Sequence, residues 1–389
     1  MASVSKEEFR HRVQQIMSLN WHEELGYTSP NGNTYPHCWL WDSCFHSLIW
    51  NKLGDYKKAR RELLSVFRWQ QSDGFVPHMG YQLKPSEATE IWRQPGYSNI
   101  TQPPMYGHAI RTLHDNGVPV SDLVQKAEAG FDFLLKYRCG DDGMLFILHP
   151  SEAGCGSSPR WDSWSRDSFS PEKWQKRKSE FVQALECTSS GSSISSSLFK
   201  VESASFNALT AFNMLELYSV TNDSYLQDSA RLIVNGLDQI WNNELETWID
   251  VTSERRLSSS VRTIEALLGV LCTFNKSRAM HIFDKLMDPS NFASPYGLAG
   301  VDKHEPSFNP AGYWRGAGWP QLNYLFWIAA ARCGRKDLAN ELAEKARQAA
   351  VTSNFSEYFN SLTGEGLGAS PQSWACLPIC MPLVPDIEE

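Results

Sequence analysis

Residues 35–46, YPHCWLWDSCFH, bring Tyr35, Trp39, Trp41, Asp42 and His46 together at the start of a helical stretch. A carboxylate accepts two hydroxyls, and an indole covers an apolar ring face, so this grouping suits a sugar clamp. Asp42 equally suits a plain helix N-cap. Further along, 68–81 (RWQQSDGFVPHMGY) adds Gln70, Gln71, Asp73 and His78 as hydroxyl-reading groups, and 99–109 (NITQPPMYGHA) adds Gln102. Residues 313–325, YWRGAGWPQLNYL, set Tyr313, Trp314 and Arg315 before two glycines, and Trp319-Pro320 then opens a helix. An arginine beside two indoles is an unusual choice for a core. Residues 357–374, EYFNSLTGEGLGASPQSW, begin with Glu357 and end on Trp374. By spacing alone, Glu357 reads either as a catalytic carboxylate or as a surface charge.

The chain carrying these groups has 389 residues, 42% of them hydrophobic and 21% charged, which fits a globular protein with a sizeable core. Its formal net charge of −8, with no basic cluster, argues against nucleic acid or an anionic membrane surface as a partner. No stretch is apolar enough to span a membrane, and the N-terminal MASVSKEEFRHRVQQ does not read as a secretory signal. Nine scattered cysteines without a CxxC pair suggest a reduced, cytoplasmic chain and no zinc site. No metal or organic cofactor is implied, and the expected partner is a small-molecule substrate. Oligomeric state is not legible. Fifteen tryptophans are several times ordinary usage; they suit either a tryptophan-rich core or an indole-lined pocket.

Helical periodicity dominates and predicts about twelve helices in consecutive pairs, among them 170–186 and 259–271, with a short one near 371–379. Long loops are expected at 21–41, 72–100, 139–170 and 289–318, and such loops are usually functional. The serine-rich run near 187–199 reads as either a mobile surface loop or a disordered insert. Paired helices without a fixed-period repeat argue for an all-α (α/α)6 barrel, a six-hairpin toroid spanning 1–389 as one domain, rather than a solenoid.

Four collinear stretches, WDSCFH, HPSEAGCGSSPRWD, YWRGAGWPQLNYL and EYFNSLTGEGLGA…SW, run from about residue 35 to 376. Together they resemble the glycoside hydrolase family that includes processing α-glucosidase, mannosylglycerate hydrolase and glucosylglycerate hydrolase. The resemblance implies an (α/α)6 barrel, shared with trehalases and glucoamylases, and inverting hydrolysis of α-glycosides. It implies Glu357 as the general base that activates water and Asp42 as a holder of sugar hydroxyls. It carries substrate recognition onto Trp314, Arg315 and Trp319, and matches His149, Glu152, Gly154, Ser158, Pro159, Arg160 and Trp161 to a stretch containing the family's general acid. The acid itself, an Asp, falls on Gly156; the Trp after His-Pro becomes Ser151, and the Asn that follows the Asp becomes Ser157.

Inverting hydrolysis needs an acid on the leaving oxygen and a base across the ring. Three readings follow. In the first, the acid is displaced: Glu152, Asp162 and Asp167 are nearby in sequence, with Glu152 matching a substrate-binding position of its own and Asp162, next to Trp161, the candidate to reach. In the second, the barrel is repurposed for a cyclisation, isomerisation or elimination in a dry aromatic pocket, with Glu357 as base and Asp42 as acid. In the third, the protein binds sugar without turnover. A repurposed enzyme requires an apolar floor near Gly156.

Overall fold

The computed structural model describes residues 5–83, 85–165, 168–252 and 257–385. Asp167, one of the expected displaced acids, lies outside them. Among the described residues the helices are α1 (Lys6–Leu19), α2 (Leu40–Leu53), α3 (Tyr56–Phe67), α4 (Pro85–Trp92), α5 (Tyr106–Asp115), α6 (Ser121–Tyr137), α7 (Pro171–Gln183), α8 (Ala204–Thr221), α9 (Ser224–Gln239), α10 (Lys276–Met287), α11 (Pro320–Arg332) and α12 (Lys336–Thr352).

Their burial sorts them into two layers. Helices α2, α8 and α11 are apolar and buried around nearly their whole circumference, so they must lie inside. They pack with α5 and two 3-10 segments, Glu265–Leu271 and Ser373–Cys380, in a closed order: α2, α5, α8, Glu265–Leu271, α11, Ser373–Cys380 and back to α2. Helices α1, α3, α6, α9, α10 and α12 each bury one face against this ring. Six inner and six outer segments make the (α/α)6 barrel. Local signals place the ends: Ser5 caps α1, Asp55 caps α3, and α2 stops at Gly54 with φ +87°.

The structure departs from the sequence reading at four places. The spacing over 259–271 predicts a helix, but Thr263 is bridged to Val301 and the Ile264 N–H is bonded to Gly300, which leaves room only for a 3-10 turn. Helix α7 reads as one of the barrel pairs, yet it stands outside the ring, and Ser373–Cys380 closes the barrel instead. Helix α4 forms inside the expected loop 72–100, where Ala88 and Trp92 pack on Met79, Tyr81 and Trp39. The serine-rich run is an antiparallel hairpin, Leu185–Cys187 with Ser193–Ser196. Asp73 accepts hydrogen bonds from Thr188 and Ser192, and Arg138 donates to the Ser193 carbonyl, so the run is tied to the barrel.

One polar cluster joins three inner helices. Glu216 of α8 is 2% exposed. It pairs with His108 of α5 at 2.7 Å, Arg111 of α5 at 2.9 Å and Arg332 of α11 at 2.8 Å, while His108 reaches the Tyr324 hydroxyl at 2.9 Å. Burial alone would raise the Glu216 pKa, but the hydrogen bonds and charges of His108 and Arg332 outweigh it and hold the carboxyl far below its usual range. Arg111 and Arg332 are more than a third exposed, so solvent screens the charges that removal of Glu216 leaves. Glu216→Ala is expected to cost about 1.5–3 kcal/mol in chemical denaturation, from the lost hydrogen bonds between charged groups and the buried His108 left without its partner; a loss no larger than an exposed pair gives would contradict the assignment.

Candidate active site

The N-terminal ends of four of the six inner segments converge on a cavity of about 590 Å³. Trp41 and Asp42 enter it from the first turn of α2, and Gln102 from just before α5. Tyr313 and Trp314 enter from just before α11, and Trp374 from the start of the closing 3-10 segment. Tyr35, Trp39 and Glu357 complete that side.

Glu357 is held at both oxygens. Its Oε1 accepts from the Tyr35 hydroxyl and its Oε2 from the Ala369 N–H, each at 3.0 Å. The Trp374 indole donates to its backbone carbonyl at 2.8 Å. Gly368, at φ +73°, clears the space: a Cβ there would come within 2.4 Å of Oε2. Burial raises the Glu357 pKa, and the bonds from Ala369 and Tyr35 pull it only partly back. Asp42 is raised further, to about 8, first by burial and then by the Glu357 charge. Asp42 is therefore largely protonated at neutral pH.

The aromatic wall is built around Trp314. Its φ of +58° is rare for a bulky residue, and it stacks on Trp319 with ring centres 3.6 Å apart and planes 7° from parallel. Tyr358 stacks on the far face of Trp319 at 4.8 Å. Trp41 and Trp374 meet edge to face at 5.9 Å.

The opposite side is the loop 154–157 with α7 and α4. At Gly154, with φ +80°, a Cβ would lie 2.5 Å from the Trp41 ring, so only glycine fits. The Trp161 indole donates to the Cys155 carbonyl at 2.9 Å, and the Trp174 indole of α7 to the Gly156 carbonyl at 2.7 Å. A Cβ on Gly156 would meet Ser151, its Oγ at 2.7 Å and its Cα at 3.1 Å. This stretch presents Ser151, Ser157 and His149 to the cavity, and α7 presents Gln175, Lys178 and Ser179.

Several expected site residues lie elsewhere. His46 shares the α2 face of Asp42 but sits one turn deeper, bonded to Ser373 Oγ at 2.6 Å. Gln70 donates outside the cavity to the carbonyls of Gly74 and Lys126. Glu152 is fully buried; it pairs with Arg138 at 3.0 Å and accepts the N–H groups of Thr101 and Leu148, so it ties loops together and touches no ligand space. Arg160 is buried against Asp250, Ser205 and Cys155 and supports the 154–157 loop from below, with Trp161 beside it. Trp319 backs Trp314 rather than lining the cavity. Arg315 and Asp162 hold each other in a two-bond pair at 3.0 and 2.6 Å, with the guanidinium over Phe169. Asp162 is thus committed to Arg315 and does not line the cavity, so it is no displaced acid.

The sequence reading missed the whole contribution of α4 and of α7. Lys178 lies in the helical stretch 170–186, which carries no site role in the sequence reading; its only sequence signal is its position four residues after Trp174.

A raised carboxyl pKa carries a stability cost. Asp42 is near 8 when folded against 3.8 in a free chain, so its contribution is intact below about pH 4 and is lost as pH climbs through 8. Asp42→Asn, neutral throughout, is expected to raise Tm by several degrees at about pH 9 and by little at about pH 4. A gain independent of pH would contradict the burial argument.

The family model for the mannosylglycerate hydrolase MGH1-like glycoside hydrolase domain matches residues 35–375. Mannosylglycerate hydrolase of Thermus thermophilus is 28% identical over 400 residues, covering 90% of this chain and 94% of that protein. Glucosylglycerate hydrolase of Mycolicibacterium hassiacum is 24% identical, covering 89% of this chain and 91% of its own. A crystal structure of mannosylglycerate hydrolase from Thermus thermophilus in complex with Tris superposes with a TM-score of 0.79 at 25% identity, covering 96% of this chain and 99% of that one. The neutral trehalase of Saccharomyces cerevisiae shares the fold, with a TM-score of 0.57 at 13% identity over 91% of this chain and 72% of its own. With a match spanning nearly the whole barrel, and a helical ring of the same construction, this chain belongs to the mannosylglycerate hydrolase MGH1-like family of glycoside hydrolases.

Proposed function

We propose that this protein hydrolyses, with inversion, the α-glycosidic bond between a hexose and a small hydroxy acid such as glycerate. The observation that carries the reading is Glu357: a buried carboxylate fixed at both oxygens and turned into an aromatic cavity. Its raised pKa suits a general base, which works best with a pKa near the operating pH. The water oxygen bonds to the anomeric carbon while its proton passes to Glu357. Asp42, protonated up to about pH 8, donates a hydrogen bond to the sugar. Trp41, Trp314 and Trp374 offer ring faces and edges to its apolar side, and Gln102 reads a hydroxyl. The names of the relatives supply the substrate class, and the cavity volume suits a monosaccharide with a small aglycone.

The floor around Gly156 separates this reading from a repurposed barrel. Ser151 lies against Gly156, and Ser157, His149, Gln175, Lys178 and Ser179 line the same cavity alongside Trp92 and Val182, a mixed lining that supplies the hydrogen-bonding partners a hydroxylated substrate needs.

Hydrolysis of mannosylglycerate and glucosylglycerate is the direct test. Glu357→Gln is expected to lower kcat/KM by about 10²–10⁴ while calorimetric affinity for the glycoside stays within a few-fold. The acidic limb of the pH profile is expected above the ordinary carboxylate range, because Glu357 must be ionised to act. Undiminished turnover in Glu357→Gln would contradict the role. Binding without turnover by the unmodified protein, including of an α-glycosyl fluoride, would make it a sugar-binding protein.

A further inference from the structure

We infer that Lys178 is the group that protonates the departing glycosidic oxygen, in place of the acid absent at Gly156. The inference rests on the hydrolytic reading above and deepens it.

Placement carries the argument. Helix α7 turns Trp174, Phe181 and Val182 inward, and Lys178 stands one turn from Trp174 on that same side. The Trp174 indole grips the carbonyl of Gly156 itself, so α7 and the loop that lost the carboxylate are joined directly. Lys178, Gly156, Ser151 and His149 line one stretch of the cavity. The Lys178 charge also acts on His149, which sits two residues before Ser151. No carboxylate among the described residues lies within ion-pair distance of the Lys178 amine, and burial is what acts on its charge. Lys178 lines the cavity, and among the described residues its amine has no carboxylate partner, which leaves it available to what enters.

The other proton carriers on this side fit less well. Burial, and then the Lys178 charge, push His149 down to about 3. Burial holds His78 well below its usual value too, so both imidazoles are neutral and neither offers an imidazolium proton. Glu90 of α4 is exposed, at the rim. Burial lowers the Lys178 ammonium below the usual lysine value, which brings it closer to the range where a general acid is efficient.

The step balances without a further reactant. Water attacks the anomeric carbon and gives a proton to Glu357. The bond from that carbon to the aglycone oxygen breaks, and the oxygen takes a proton from the Lys178 ammonium. Solvent then returns a proton to the amine and removes one from Glu357.

The test compares Lys178→Met, Lys178→Arg and Glu90→Gln with the unmodified enzyme on the α-glycosyl glycerate and on the α-glycosyl fluoride, with Tm read for each. Fluoride leaves without a proton. Lys178→Met is therefore expected to lose about 10²–10⁴ in kcat on the glycerate glycoside and to keep fluoride turnover within a few-fold. Lys178→Arg keeps the charge but holds its proton too tightly to give it, so it is expected to remain defective. Glu90→Gln is expected to turn over both substrates normally. Equal losses of Lys178→Met on both substrates would overturn the proton-donor role, as would full activity in Lys178→Met or Lys178→Arg. A selective loss in Glu90→Gln would move the role to α4. If the unmodified enzyme turns over neither substrate, the hydrolytic reading fails; if it turns over the fluoride alone, that reading stands and Lys178 donates no proton.

Discussion

Two carboxyl groups, Asp42 and Glu357, are buried close enough that the charge of one raises the pKa of the other. Taking them out of water is unfavourable, and the rest of the structure is arranged to hold them there. Asp42 arrives on the first turn of an inner helix buried on every side, so it cannot retreat toward solvent. Glu357 is pinned by a phenol, a backbone N–H and the indole that grips its carbonyl. The ring of six inner segments, with its Glu216 cluster, supplies the stability that this arrangement consumes. Such a trade between stability and site chemistry is common where a carboxyl must be kept reactive.

The two sides of the cavity are built by different means. The carboxylate side stands on the inner ring and on the Trp314–Trp319–Tyr358 stack, which locks a residue in the left-handed backbone region. The other side is a loop suspended between indoles, with Arg160 buried beneath it, and is covered by two helices that do not belong to the barrel. The loop's support comes from the carbonyls of Cys155 and Gly156 and from Arg160, not from a side chain at 156, where a Cβ would meet Ser151 on the same side of the cavity.

The barrel was legible because its cause is local: a long series of amphipathic or fully apolar helical stretches with capping residues between them. Asp42, Trp41, Trp314 and Trp374 stood out because aromatic and charged residues cluster around them in the chain, whereas Glu357 stood out only through the family resemblance, since its spacing alone also fitted a surface charge. What the sequence concealed depends on contacts between distant segments. Glu152, Arg160 and Arg315 carry the same charges as binding residues do, and only their partners Arg138, Asp250 and Asp162 show that they are structural. Lys178 went the opposite way: it sits in a helical stretch with no site role in the sequence reading, and only the placement of α7 against the Gly156 loop turns it toward the cavity. The bridge from Thr263 to Val301 likewise overrode a helical pattern through pairing with a segment distant in the chain.

The central claim is that Glu357 delivers water to the face of the sugar opposite the leaving group. The most direct measurement is the configuration of the sugar first released from an α-glycoside or α-glycosyl fluoride, followed by proton NMR before the anomers equilibrate. The account predicts the β-anomer as the first product, appearing in step with substrate loss. Release of the α-anomer would mean that a carboxylate attacks the sugar itself, and would contradict it.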